Sequence, residues 1–190
     1  MAYDRAMLPL PRLADDRVRL RPFGLDDVPV VVEGCRDPLT QAYTRITFPY
    51  DEDDAREFIA GSASRRMTGE SIDLAIAATE DDRLLGAIGL MVDRHDADRA
   101  EIGYWVAPRE RGHGVAGRAL AMLSAWAVTE GRFARIDLQA SLANTASIRV
   151  AERCGFVREA TLRSAWYRGP ERSDMALFSL LPEDPRPTGH

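Results

Sequence analysis

A short glycine-rich turn, RERGHGVAG at Arg109–Gly117, constrains this chain more than any other stretch of its sequence. It stands between a predicted strand, AEIGYWV, and a long apolar helix that begins at Val115. Glycines let a chain turn sharply and bring its amides close to a ligand, and the first amides of a helix have no partner within the helix. The turn therefore predicts a phosphate-binding site at the start of that helix.

The glycines fit two spacings that imply different ligands. Gly112, Gly114 and Gly117 form G-x-G-x-x-G, which is the spacing of a dinucleotide-binding turn. Starting at Arg111, the same residues give R-x-x-G-x-A, with Gly114 and Ala116, which is the phosphate loop of an acyl-coenzyme-A transferase. A simple tight turn is the third interpretation, but it has little reason to concentrate the basic residues Arg109, Arg111, His113 and Arg118.

Three features count against the dinucleotide interpretation, although Asp137 lies near the ~20-residue distance expected for a ribose-binding acid. A dinucleotide turn follows its strand at once, whereas APRER intervenes here between Val106 and Gly112. An antiparallel meander precedes the turn, where alternating strands and helices are expected. The chain after Gly117 is also too short for a second nucleotide-binding half.

The hydrophobic periodicity predicts one α/β domain without repeats or linkers. We predict strands at 16–24, 71–79, 84–92, 100–106 and 133–141, and a closing hairpin that runs through MALFSLL. We predict helices at 25–35, 48–67 and 115–131, and a short one capped by Asn144 and ended by Gly155. The helix at 48–67 has acids at its front and arginines at its back, which complement the helix dipole.

Composition argues against several classes of protein. With 190 residues, 45% of them hydrophobic, the chain can bury the core of one domain. A net charge of −5 disfavours a nucleic-acid partner, because phosphate backbones require a basic face. No apolar run approaches the ~18 residues that cross a membrane, and the N-terminus lacks the pattern of a secretory signal. Cys35 and Cys154 have neither metal nor redox spacing, so we expect no metal, reduced thiols and a cytoplasmic location.

Three segments, in this order and spacing, closely resemble the GNAT N-acetyltransferase superfamily: RLRPFGLDD, AEIGYWVAPRERGHGVAGRAL and NTASIRVAERCGF. Within it they are most similar to the RimJ/RimL branch, which acetylates protein N-termini. The resemblance divides the chain into an N-terminal extension (1–12), an acetyltransferase domain (13–181) and a solvated tail (182–190). It implies an α/β (α+β) fold with a mixed, mostly antiparallel sheet, a splayed strand pair and about four flanking helices.

The resemblance also implies acetyl-CoA as the cosubstrate and assigns residues to it. The main chain of Tyr104, Trp105 and Val106 is expected to pair with the pantetheine arm like an added strand. Asn144 is expected to bond the pantetheine near its thiol end. The pyrophosphate is expected on the amides of the loop, that is, on Arg111, Gly112, His113, Gly114, Val115, Ala116 and Gly117.

The implied reaction is direct attack of a neutral primary amine on the thioester. An α-amine with a pKa of ~7.7–8.0 is roughly a tenth neutral at pH 7, so it needs less help from a base than a lysine does. Glu101 is the preferred base, because apolar flanking residues would raise its pKa; an ordinary ion pair with Arg99 or Arg83 is the alternative. Ser147 is a second catalytic candidate, or a first-turn residue that satisfies backbone groups. Cys154 is expected to be a core residue.

The chain departs from other branches of the superfamily at two positions. The tyrosine that often acts as general acid falls at Ala151, and a glutamate base of some relatives falls at Gln139. Both absences suggest reliance on positioning, and they keep open a non-catalytic acyl-CoA-binding sensor; an NAD(P)-dependent oxidoreductase is the weaker alternative. The acceptor is a small-molecule or peptide amine. The chain is a monomer or a homodimer that the hairpin WYRGPERSDM could support.

Overall fold

The computed structural model describes residues 7–168 and 172–185, and these form one eight-stranded sheet with helices on both faces. The strands are β1 Leu13–Ala14, β2 Val18–Arg21, β3 Ser71–Ala78, β4 Leu84–Val92, β5 Arg99–Val106, β6 Arg135–Ser141, β7 Val157–Tyr167 and β8 Arg172–Leu180. The helices are α1 Val28–Arg36, α2 Pro38–Tyr43, α3 Glu52–Met67, α4 Val115–Thr129 and α5 Thr145–Arg153. The strand order is β1-β2-β3-β4-β5-β6-β8-β7, and among these described strands only β5 and β6 are parallel neighbours.

The parallel pair separates soon after it forms. β5 and β6 pair over Arg99–Glu101 and Arg135–Asp137. Beyond this point β5 continues to Val106 and β6 to Ser141, but the two strands no longer pair with each other. Helix α4 makes the crossover between the two strands, as a parallel pair requires. The mixed, mostly antiparallel sheet with a splayed pair is therefore confirmed, and the splay leaves a gap in the middle of the sheet.

Two hydrophobic clusters cover the two faces of the sheet. Alternate residues of β5 belong to different clusters, because successive side chains of a strand point to opposite faces. Ile102 packs in the cluster that includes Leu120 and Leu123 of α4, which are fully buried as the helix periodicity predicts. Trp105 packs against the cluster formed by α1, α3 and β3. Burying one such leucine contributes roughly 1.5–3 kcal/mol, so these clusters hold the layers together.

The described residues form five α-helices, whereas the sequence predicts about four. The helix that the prediction lacks is α2. Asp37 caps α2 with its side chain, which accepts from the amide of Thr40, and Pro38 occupies the first helical position. Asp followed by Pro is a helix-start signal that the sequence does carry. The cap of α5 is as predicted, since Asn144 begins that helix. Helix α3 begins four residues later than predicted, after a capping box that Asp51 forms with Asp54.

The predicted N-terminal extension contributes to the core. Leu8 is fully buried, its amide donates to the carbonyl of Arg66, and the Arg66 guanidinium donates back to the carbonyl of Leu8. Residues 1–6 of the extension, 186–190 of the tail and the hairpin tip at 169–171 lie outside the described residues. Within the described ranges, none of the helices has the length and apolar character to span a bilayer.

Candidate active site

The gap between β5 and β6 opens a cleft of about 1130 Å³. Its walls come from the two strands, the glycine-rich loop, the first turns of α4 and α5, and the segment around α2. All but one of the thirteen predicted site residues line it: Glu101, Tyr104, Trp105, Val106, Arg111, Gly112, Gly114, Val115, Ala116, Gly117, Asn144 and Ser147. The exception is His113, whose side chain is exposed to solvent.

The glycine-rich loop forms an open cradle of main-chain atoms. Gly112 and Gly114 have φ angles of +81° and +79°, a conformation that side-chain-bearing residues rarely adopt. A Cβ atom added at Gly112, Gly114 or Gly117 would meet nothing within 4 Å. The space in front of the loop is therefore free, and the unpaired amides of the first turn of α4 face it. This cradle fits a diphosphate.

The arginine of the loop motif is held by the protein itself. The Nε atom of Arg111 donates to the carbonyl of Val106 at 3.1 Å, and its Nη2 atom donates to the hydroxyl of Thr40 at 3.0 Å. The same guanidinium pairs with the Asp37 carboxylate. Arg111 thus joins the end of β5 to the start of α2, and its charge is compensated before any ligand arrives.

The positive charge of Arg118 is compensated in the same way. Its Nη1 atom lies 2.6 Å from a carboxylate oxygen of Asp15 and 2.7 Å from one of Asp16. The basic patch that the sequence suggests is therefore largely an ion-pair network with the N-terminal part of the domain. Anion binding at this loop would depend on main-chain amides and the helix dipole more than on free guanidinium groups.

The main-chain groups of β5 alternate in direction. At one end of the β4–β5 pairing the amide of Ala107 donates to the carbonyl of Leu85, and at the other end the carbonyl of Arg99 accepts from the amide of Asp93. In an antiparallel pair every second residue of a strand hydrogen-bonds to the neighbouring strand, so Trp105 directs its amide and carbonyl toward β4. Tyr104 and Val106 direct theirs into the gap. Of the three residues expected to pair with pantetheine, Tyr104 therefore has its amide and carbonyl available, and Val106 has its amide, because its carbonyl accepts from Arg111.

Glu101 lies at the point where the strands separate. Its carboxylate accepts a hydrogen bond from Nε2 of Gln139 at 3.2 Å. Burial raises the pKa of Glu101 above its ordinary value; the positive charge of Arg45 opposes this shift and the negative charge of Asp137 adds to it. A carboxylate with a raised pKa inside a cleft is suited to accept a proton near neutral pH.

The two arginines considered as ion-pair partners of Glu101 pair elsewhere. Arg99 binds Asp137, which is nearly fully buried and also binds Arg135. Arg83 lies 3.4 Å from Asp81 and 3.6 Å from Glu110. Neither arginine therefore forms a salt bridge with Glu101 in these contacts, although the positive charge of Arg99 acts to lower the pKa of Glu101.

Ser147 and Tyr104 meet on the other side of the strand. The hydroxyl oxygens of the two residues are 2.9 Å apart, and the amide of Ser147 donates to Oδ1 of Asn144 at 3.1 Å. Burial raises the pKa of Tyr104 to about 12. The sequence assigns Tyr104 only a main-chain role; that its side chain reaches Ser147 follows from strand alternation and the docking of α5, and no sequence motif signals it.

Cys154 is a core residue, as expected. It is buried, and its Sγ atom donates to the carbonyl of Gly117 at 3.4 Å. Burial raises the pKa of this thiol to about 11, so it stays protonated and is a poor nucleophile at neutral pH. Ala151 is completely buried as well, so α5 packs closely at the position where other branches carry a tyrosine.

The chain is similar to known acetyltransferases. A family model described as an acetyltransferase (GNAT) domain matches residues 17–157. The uncharacterized N-acetyltransferase p20 of Bacillus licheniformis is 29% identical over 169 residues, which cover 89% of this chain and 95% of that protein. The ribosomal-protein-serine acetyltransferase of Escherichia coli is 27% identical over 143 residues, which cover 75% and 79%, respectively.

Solved structures show the same fold. The structure of Mycobacterium smegmatis RimJ, in complex with a CoA disulfide, matches with a TM-score of 0.76 and 22% identity, covering 86% of this chain and 81% of that chain. At this level of identity the likeness bears on the fold alone. It supports the overall fold described above.

Proposed function

The chain belongs to the GNAT acetyltransferase family, and from this premise we propose that it acetylates the α-amine at the N-terminus of a protein or peptide. Acetyl-CoA supplies the acetyl group and an amine accepts it. The choice of a protein acceptor is supported by the name of one relative, a ribosomal-protein-serine acetyltransferase, and the choice of its N-terminus by the resemblance to the RimJ/RimL branch. We further propose a cytoplasmic location, which the two buried free cysteines fit, and a monomer or homodimer.

In this proposal the loop and the splayed strand hold acetyl-CoA. The amides from Arg111 to Gly117 bind the diphosphate, because the cradle in front of them is free of side-chain atoms. The main-chain groups of Tyr104 and Val106 bond the pantetheine arm, which lies along β5 like an added strand. Asn144 contacts the same arm from the start of α5, where its side chain lines the cleft.

A single observation carries the choice of acceptor: Glu101 is the carboxylate at the splay, and it is the base of this proposal. Burial raises its pKa, and a carboxylate is intrinsically a weaker base than an amine, so it is a modest base. An α-amine, with a pKa of ~7.7–8.0, is already roughly a tenth neutral at pH 7, whereas a lysine amine is under a thousandth neutral. A modest base therefore suits an N-terminal amine better than a lysine.

The attack and the departure take place on opposite faces of β5. The amine approaches from the face of Glu101, which takes its proton directly or through a water molecule, while a nitrogen–carbon bond forms. The carbon–sulfur bond breaks toward α5, where Ser147 is placed to donate a hydrogen bond to the leaving sulfur. An amide facing the gap from β5 stabilises the negative charge that develops on the carbonyl oxygen.

One observation favours a second candidate, an acyl-CoA-binding sensor without turnover. Gln139 occupies the place of a titratable base and Ala151 that of a tyrosine, so the acid–base complement is reduced. The family assignment overturns the nicotinamide dinucleotide alternative, because residues 17–157 match an acetyltransferase domain across the whole loop.

The test is thiol release from acetyl-CoA with matched acceptors. We compare a peptide with a free N-terminus, the same peptide N-terminally blocked but containing lysine, a polyamine and an aminoglycoside. Release that requires the free N-terminus supports the proposal. Release with only a small amine would show that the acceptor is a small molecule and not a protein N-terminus. Tight CoA binding without thiol release on any acceptor would favour the sensor.

A further inference from the structure

We propose that Tyr104 is a positioning residue that aims the hydroxyl of Ser147 at the sulfur of the leaving thiol. This inference rests on the proposed function, since it concerns the same cleft and the same reaction. It assigns the Tyr104 side chain a role separate from that of its main chain, which would bind pantetheine.

The geometry begins with the direction of the tyrosine side chain. Tyr104 and Glu101 are three residues apart on β5, so their side chains lie on opposite faces of the strand. Tyr104 packs against the cluster formed with α4 and α5, and its hydroxyl oxygen ends 2.9 Å from Oγ of Ser147. It thus reaches the side of the splay where the thiol would depart.

The partner residue is fixed by its helix. Ser147 lies in the first turn of α5, and its amide is held by the Asn144 cap at 3.1 Å. Ala151 follows four residues later on the same helical face. The phenol hydroxyl that other branches present from that later position enters here from β5, one helical turn nearer the start of α5.

The direction of the hydrogen bond follows from the acidity of the two hydroxyls. The 2.9 Å separation fits either direction. In this proposal Tyr104 donates and Oγ of Ser147 accepts, because a phenol is more acidic than an alcohol. The hydrogen of Ser147 is then free to point into the cleft. If Ser147 donated to Tyr104 instead, that hydrogen would be withdrawn from the thiol.

Tyr104 itself does not supply a proton to the thiol. Burial raises the pKa of Tyr104 to about 12, whereas a free thiol has a pKa near ~8.5, so a thiolate is too weak a base to remove the phenol proton. The proton and the electron pair of the reaction are therefore both accounted for. The amine proton goes to Glu101, the electron pair of the carbon–sulfur bond leaves on sulfur, and Ser147 stabilises that charge by a hydrogen bond while Tyr104 stays neutral.

The test uses steady-state kinetics of four single variants and one double variant of the full chain on the best acceptor. Tyr104→Phe removes only the hydroxyl and keeps the ring in the core, and Ser147→Ala removes its partner. Ser147→Thr is the conservative rescue variant. Tyr167→Phe is the matched control, because that tyrosine is 66% exposed and lies outside the cleft lining.

We expect Tyr104→Phe to lower kcat about three- to tenfold and to leave KM for acetyl-CoA within about twofold, since one orienting hydrogen bond is lost. The factor should be constant from pH 6 to 9, because neither hydroxyl titrates there. In the Ser147→Ala background, Tyr104→Phe should cost nothing further, since the two residues act as one unit. Ser147→Thr should retain most of the activity.

Three results would overturn the inference. They are an unchanged kcat in Tyr104→Phe, a full additional loss in the double variant, or a loss confined to KM and thermal stability, which marks a packing role. If the wild type is active and one of these holds, only this inference fails. A wild type that releases no thiol with any amine overturns the proposed function and this inference together.

Discussion

Glu101 and Tyr104 point to opposite faces of strand β5, the first toward Gln139 of β6 and the second toward Ser147 of α5. The separation of β5 from β6 just beyond Glu101 opens the sheet between these two faces. A thioester lying in the gap would therefore meet a base on one side and a hydroxyl pair on the other. This arrangement suits an attack in which the amine and the thiol stay apart.

Replacing Glu101 by Gln should lower kcat/KM about ten- to a hundredfold for an N-terminal peptide, because the base is lost while the shape is kept. In the wild type, activity should fall as pH drops through the pKa of Glu101. Burial raises that pKa, so the loss should begin at a higher pH than for an exposed carboxylate. The part of the acid limb that belongs to Glu101 should vanish in the variant, and the part that belongs to protonation of the substrate amine, with a pKa of ~7.7–8.0, should remain. Glu80→Gln, at an exposed turn, is the control; equal rates in all three proteins would remove Glu101 as base.

Gly117→Ala should separate folding from cofactor binding. The residue lies inside α4, where alanine is favoured over glycine by about 0.5–1 kcal/mol, and its Cβ would meet nothing within 4 Å. We therefore expect a higher melting temperature together with a raised KM for acetyl-CoA. Gly114→Ala is the contrast, because its φ of +79° makes the substitution strained as well. Unchanged binding in Gly117→Ala would place the diphosphate elsewhere.

Gly103→Ala should weaken binding of the acceptor and leave binding of acetyl-CoA unchanged. Gly103 lines the cleft two residues from Glu101, and a Cβ there would meet only Cε of Met91, at an ordinary 3.6 Å. We expect an intact fold, an unchanged KM for acetyl-CoA and a KM for the peptide raised about three- to tenfold, as one methyl group occupies acceptor space. Gly89→Ala is a poor substitute, because its Cβ would lie 3.2 Å from Oδ1 of Asp73. A change confined to the KM for acetyl-CoA would contradict the assignment of this part of the cleft to the acceptor.

Asp37→Asn should lower the free energy of unfolding by an amount that depends on pH. Burial alone would raise the pKa of Asp37, but hydrogen bonds from Arg111 and Thr40 outweigh it and the pKa is lowered. The stabilisation is then present above the unfolded pKa of ~3.9 and is lost as pH falls through the lower folded value. We expect the variant to be about 1–2 kcal/mol less stable at pH 7 and the gap to narrow near pH 3. Urea unfolding measures it, with Asp26→Asn as the exposed control; a constant gap at both pH values would contradict the pairing.

The sequence predicts the layers of this fold well, because its signals are local. Strand β4 and helix α4 follow from clear periodicity, and Asn144 is a recognisable cap. The glycine turn indicates a phosphate site, since glycine is favoured at the positive φ angles of Gly112 and Gly114. These features require no knowledge of distant contacts.

The features that the sequence does not predict depend on contacts between distant segments. Arg111 looks like a phosphate ligand in a basic patch, but Asp37, 74 residues away, takes its charge. The Tyr104–Ser147 bond spans 43 residues and depends on how α5 docks on the sheet. Only α2 had a local signal, the Asp37–Pro38 start, and its short length hides its periodicity.

A crystal structure of the protein with coenzyme A tests the central claim most directly. We predict that diphosphate oxygens lie about 3 Å from amide nitrogens between Gly112 and Gly117, with the pantetheine bonded to the main chain of Tyr104 and Val106. A diphosphate bound away from these amides, or a pantetheine outside the gap between β5 and β6, would contradict the account.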